Sequence, residues 1–185
     1  MKQNGHPRLL VLLLLLAGLS HSPATSQIIP EVHGTTLSGT PVDLPAALKG
    51  KVGILVIGFS QGSRDAVTVW GKKLAADYYD SPRVLYYEMP VLASVPRLMR
   101  GFVTSRIKAA VSDRGKSHFI PLTEDEPVWR SLVHYKAPDD PYLLLVDAQG
   151  TVRWQTQGQA SDVTYAAMKQ QVDQLQAHQG ATSTR

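Results

Sequence analysis

The 185-residue chain contains no cysteine. That excludes disulfide staples, thiolate nucleophiles, cysteine-ligated metals and any thiol–disulfide exchange carried out by this chain itself. A strong charge of either sign is missing too. The 19 basic and 15 acidic residues leave a net charge of +4, too mild to argue for nucleic acid. No G-x-G-x-x-G or Walker loop is present, so no nucleotide cofactor is implied. The histidines beyond residue 26 (His33, His118, His134 and His178) lack a partner at i+2, i+3 or i+4, the spacing of a local metal site. Neither cofactor nor metal is therefore expected.

Long apolar runs are scarce, and the longest is Leu9 to Leu19. It is short for a membrane span. Lys2 and Arg8 precede it, and the small residues Ala24-Thr25-Ser26 come after it. This is the layout of an export signal over residues 1–26, cut before Gln27, leaving a periplasmic or secreted protein. Left uncut, the same segment would be an N-terminal anchor. The remaining chain of about 160 residues is one ordinary domain, long enough to bury a core without staples. It divides into a lead-in (27–34), a folded region (35–179) and a tail (180–185) expected to be disordered.

Periodicity gives the elements. Thr35 to Leu44 reads as a hairpin around Ser38-Gly39. Lys51 to Phe59 is apolar nearly throughout, as a strand covered on both faces should be. A helix is predicted over 64–79, with Val67, Trp70, Leu74 and Tyr78 on one face and Ser63 as its N-cap. Val84 to Met89 is the next strand. Val95 to Val111 is an amphipathic helix with Val95, Leu98, Met99, Phe102, Ile107, Ala110 and Val111 on one side. His118 to Leu122 is read as a short strand, 127–134 as a short helix, and Tyr142 to Val146 as a strand that turns through Asp147-Ala148-Gln149-Gly150 into a return strand over 151–155. A last helix begins at Ser161 and runs to about His178, with Val163, Ala167, Val172 and Leu175 inward. A βαβ half joined to a ββα half predicts an α/β fold with one mixed sheet and helices on both faces.

Gly58-Phe59-Ser60-Gln61-Gly62 lies between the first core strand and a helix. G-x-S-x-G at such a junction is the nucleophile elbow of serine hydrolases, and the order Ser60, Asp147, His178 permits a triad. Against this, only one hairpin precedes the motif, no glycine-rich oxyanion loop lies upstream, and His178 sits at a helix end. Turn and helix-capping chemistry explains Ser60 and Ser63 more simply. The clusters Glu124-Asp125-Glu126 and Asp139-Asp140 fall on loops. Asp140, beside Pro141, is the carboxylate nearest the strand ends.

The segments LSGTPVDLPAALKGKVGILVIGF and PYLLLVDAQGTVRW, within Thr35 to Leu175, resemble the thioredoxin-like superfamily, in particular its exported thiol–disulfide and peroxiredoxin-like branches. The resemblance implies a three-layer sandwich. It puts Ser63-Arg64-Asp65-Ala66 where that family carries C-x-x-C, and Pro141 on its cis-proline. Both cysteine positions are without sulfur, so the family's redox activity does not transfer. LVDAQGTVRWQTQG, from Leu145 to Gly158, is also similar to the ending of the thioredoxin-like mitochondrial ATP synthase assembly factors, which implies a chaperone-like binding role and a protein partner. A third reading is a small-ligand binder using the same loop end.

The cations Arg97, Arg100, Arg106, Lys108, Arg114 and Lys116 face a single acid, Asp113, across their stretch. Such a segment suits an acidic protein partner or an anionic membrane surface, while a solvated face of an inserted helix is the plainer explanation.

Overall fold

The computed structural model describes residues 27–182, with side chains up to 179. The export signal assigned to 1–26 and the end of the expected tail, 183–185, lie outside the described residues.

The chain opens with a hairpin of β1 (Val32–Thr35) and β2 (Pro41–Leu44), turned at Gly39 with φ of 96°. Then come β3 (Val52–Gly58), α1 (Arg64–Tyr78), β4 (Val84–Pro90), α2 (Arg97–Ala110), α3 (Glu126–Leu132), β5 (Pro141–Val146), β6 (Val152–Gln157) and α4 (Asp162–Thr182). The main sheet has the order β4-β3-β5-β6. β3 runs parallel to β4 and antiparallel to β5, and β5 runs antiparallel to β6.

Every residue of β3 is buried, and its alternate side chains feed two cores. Val52, Ile54 and Val56 join Trp70 and Leu74 of α1 and Met168 and Val172 of α4 on one face. Leu55 and Ile57 join the hairpin (Val32, Val42, Leu44) and Trp129 and Leu132 of α3 on the other. The result is three layers with the mixed sheet in the middle, as the element order predicts. Trp70, 1% exposed, also satisfies its indole by donating from Nε1 to the Gly158 carbonyl at 2.9 Å.

Several expectations need correction. Residues 115–118 form a 3-10 turn, and the segment from Phe119 to Leu122 makes only isolated parallel bridges to the β4 side of the sheet, Phe119 with Glu88 and Leu122 with Val91. In α4 the inward residues are Tyr165, Met168, Val172 and Leu175. Val163 is 80% exposed, and Ala167 faces solvent as well. Ser161 does cap this helix, accepting from the Thr164 N–H at 3.1 Å, and the helix continues through 180–182 of the expected tail. The apolar side read for 95–111 is split. Val95, Ile107 and Val111 are half-buried, while Leu98, Met99 and Phe102 point outward, and no residue of α2 is buried.

Candidate functional site

At the end of β3 the chain must turn sharply into α1. Ser60 makes that turn. Its Oγ accepts from the N–H groups of Gly62 at 2.9 Å and Ser63 at 3.2 Å, and donates to Asp139 Oδ1 at 2.6 Å. A hydroxyl has one proton and two lone pairs, so this one is fully used. Ser63 is 1% exposed and donates from Oγ to the Ser60 carbonyl at 2.8 Å. It makes no side-chain cap to α1, which corrects its expected role. The absence of a side chain at Gly58 makes room for it, since a Cβ there would lie 2.7 Å from the Ser63 Oγ. Ala66 is half-buried one turn on, and Arg64 pairs with Asp65 at 3.3 Å on the exposed surface.

The facing loop is held from below. The Tyr142 hydroxyl accepts from the N–H groups of Lys136 and Ala137, both at 2.8 Å, and donates to the Ala137 carbonyl at 3.0 Å. Tyr142 packs edge-on against Phe59, and Tyr135 packs against both. The Arg130 guanidinium lies 3.9 Å from the Tyr135 ring centre and pairs with Glu126. This cluster fixes the loop that presents Asp139. The carboxylate engaged with the turn is thus Asp139, one residue before the expected Asp140. Pro141 is buried and pairs with Gly58, so it does border the turn. The cis peptide bond among the described residues is Leu44–Pro45, however, which places Asp140–Pro141 in trans and corrects the expectation for Pro141.

The three candidate hydrolase residues are not brought together. β5 is antiparallel to β3, and Val146 pairs with Gly53. Asp147 therefore lies at the opposite end of β3 from Ser60, roughly 20 Å away at the rise of an extended strand. Its carboxylate is occupied by the N–H groups of Gln149 and Thr151 and by Arg153. His178 is exposed on α4, its Nδ1 against the Gln174 carbonyl at 2.6 Å, near the start of β3. No group of three or more His, Asp or Glu able to hold a metal ion occurs among the described residues.

The six cations of 97–116 differ in their freedom. Arg100 is drawn inward, donating to the carbonyls of Val95 at 2.9 Å and Ala93 at 2.7 Å. Arg114 pairs with Asp80 and lies 3.6 Å from the Tyr79 ring centre, and Lys116 pairs with Asp113. Arg106 rests over Phe102, while Arg97 and Lys108 are exposed without an ion-pair partner among the described residues.

Sequence reasoning missed Glu88. It lies in β4 on the α1 face, 7% exposed, with no hydrogen-bond or ion-pair partner for its carboxyl among the described residues. The carboxyl lies over Gly71, where a Cβ would collide with it. Burial alone pushes its pKa up to about 8. His118 stacks on the neighbouring Tyr86 with ring centres 4.1 Å apart, and burial holds its pKa below the ordinary value. A charged residue amid the apolar run Val84-Leu85-Tyr86-Tyr87-Glu88-Met89 was the available signal.

A mixed four-stranded sheet, helices on both faces, and a strand–turn–helix facing a proline-led strand define a thioredoxin-like fold. Solved structures share this fold. The pneumococcal exposed lipoprotein thioredoxin of Streptococcus pneumoniae is 13% identical with a TM-score of 0.57, over 79% of this chain and 100% of that one. The thioredoxin domain of a thiol-disulfide oxidoreductase from Bacteroides vulgatus is 17% identical with a TM-score of 0.52, over 82% and 99%. StoA from Bacillus subtilis is 16% identical with a TM-score of 0.52, over 75% and 96%. At these identities the likeness is one of fold. Sequence goes further: residues 22–175 match the family described as ATP10 protein, and the chain belongs to that family. No curated protein matches the chain.

Proposed function

We propose that this chain is an exported, non-redox thioredoxin-like module that holds a protein partner in an assembly or chaperone-like role. The observation that carries this reading is the state of the β3–α1 turn. The resemblance puts Ser63 and Ala66 where the superfamily carries C-x-x-C, and Ser60 is locked to Asp139 across the gap. The scaffold is retained, the reactive sulfur is gone, and a fixed surface remains. Membership of the ATP10 protein family supports an assembly role, given the likeness of Leu145 to Gly158 to assembly factors. Export rests on the basic start and apolar run of residues 1–26.

The test is site-specific photocross-linking in the native host. Benzoylphenylalanine at Gln61, beside the turn, is expected to give one discrete protein adduct. The same probe at Gln170 on α4 should not give it, and Asp139→Ala, which opens the lock, should lower its yield. Identical adducts from both positions, or none from Gln61, would overturn the reading. Fractionation that recovers the chain only from the cytoplasm would overturn export.

A further inference from the structure

In a β–α–β crossover the connecting helix ordinarily covers a sheet face with its apolar side. Helix α2 links β4 to the segment that bridges the β4 side of the sheet at Phe119 and Leu122, yet it buries nothing. Its attachment to the body consists of Arg100, tied to the Ala93 and Val95 carbonyls, and the half-buried Val103, Thr104 and Ile107. These share one side at helical spacing. The opposite side is largely apolar, with Ser105 its one polar residue. Leu98 and Phe102 are four residues apart, with Met99 and Ala109 next to Phe102 at helical i+3 and i+7 spacings, so they form a continuous stripe. Leu98 is 97% exposed, Phe102 57% and Met99 48%.

Charge frames that stripe. Arg97 and Lys108, eleven residues apart and so nearly in line on a helix, run along one flank. On the other, the Arg106 guanidinium lies 5.7 Å from the Phe102 ring centre. Residues 97–110 contain no acid at all. Large apolar side chains at the outermost point, with long cationic side chains beside them able to reach anionic headgroups, match the interfacial plane of a bilayer. An acid-free face disfavours pairing with itself, because a second copy would set cation against cation.

We propose that α2 is a docking helix for an anionic lipid bilayer, lying in the interface with Leu98, Phe102 and Met99 immersed and Arg97, Arg106 and Lys108 at the phosphates. This surface is separate from the Ser60–Asp139 lock, so the proposal does not depend on what the turn binds.

The test uses the full chain and reads α2 locally, so that Leu9–Leu19 cannot supply the signal. Because the chain lacks cysteine, Ala109→Cys gives a single site for a nitroxide. With vesicles of phosphatidylcholine containing about one-third phosphatidylglycerol, the nitroxide is expected to lose accessibility to a water-soluble relaxer and gain it to oxygen. The change should be at least about tenfold weaker in pure phosphatidylcholine, and lost in Leu98→Glu/Phe102→Glu and in Arg97→Glu/Lys108→Glu. Unchanged circular dichroism would show that these exposed substitutions leave the fold intact. A nitroxide that stays in water with anionic vesicles overturns the proposal. So does immersion that survives both double variants. Spin–spin broadening without lipid would mean that a second copy covers the face, and lipid-free immobilisation by an added acidic protein would mean a protein partner; either result also overturns it.

Discussion

Glu88 makes the stability of this protein fall as pH rises. Its carboxyl ordinarily titrates near 4.5, and burial raises that to about 8 in the folded state. A group bound more tightly to its proton in the folded state stabilises fully below its unfolded value. That contribution is lost as pH climbs through the folded value, here between about 4.5 and 8. Each pKa unit corresponds to about 1.4 kcal/mol, so the loss over the whole range is on the order of 5 kcal/mol at most, of which about 1.4 kcal/mol falls between pH 7 and 9. His118 acts in the opposite sense. Its depressed pKa contributes stability above 6.5 that is lost as pH falls through its folded value. From pH 7 to 9 the His118 contribution has nearly stopped changing, while exposed His33, its pKa raised by the hydrogen bond to Asp43, adds a fall of the same sign. It is therefore the difference between wild type and Glu88→Gln that isolates Glu88. Urea unfolding monitored by tryptophan fluorescence should give a wild-type midpoint that drops across this window. Glu88→Gln should drop less than wild type across this window and should be the more stable protein at pH 9. Parallel pH profiles for the two would show that the carboxyl is not buried and unpaired, and would refute this account of β4.

Three other outcomes are expected. Gly71→Ala should fall short of the ~1 kcal/mol gain that helix propensity alone would give, because its Cβ displaces the Glu88 carboxyl; a double-mutant cycle with Glu88→Ala should show coupling, and additivity would contradict the contact. Tyr142→Phe, which strips the hydrogen bonds to Lys136 and Ala137, should cost about 1–3 kcal/mol and raise amide exchange in 136–140, whereas unchanged exchange would refute the clamp. A fluorophosphonate probe should leave Ser60 unlabelled, because its proton goes to Asp139 and its lone pairs to two backbone N–H groups; a labelled Ser60 would revive the hydrolase reading.

How much of the molecule was legible in the sequence depends on the range of the interactions. The strands β3 and β5 announce themselves as unbroken apolar runs, and α1 as a helical repeat of Val67, Trp70 and Leu74, because local pattern and burial agree there. The division of labour between Ser60 and Ser63 was not legible. Both suit a turn, and the choice is made by Asp139, 79 residues away in sequence. Reading α2 as an ordinary amphipathic helix got its type right and its outward stripe wrong, since periodicity shows which residues share a side and says nothing about whether a surface exists to cover them. In α4 the same limit put Val163 and Ala167 inward in place of Tyr165 and Met168. The cis Pro141 was carried over by analogy and Asp140 chosen for its place beside that proline, and the local geometry differs by one isomer and one residue.

If the proposed partner docks at this end, the lock between the β3–α1 turn and the Tyr142-held loop bears on how selectively it is recognised. Loops that order only on contact lose freedom at that moment and adapt to several shapes. Here that freedom is already lost when the domain folds, so docking at this end would lose little beyond rigid-body motion. Such a surface discriminates by shape. Its complexes are expected to form with small structural change, and variants that loosen the lock should weaken selectivity before they weaken the fold.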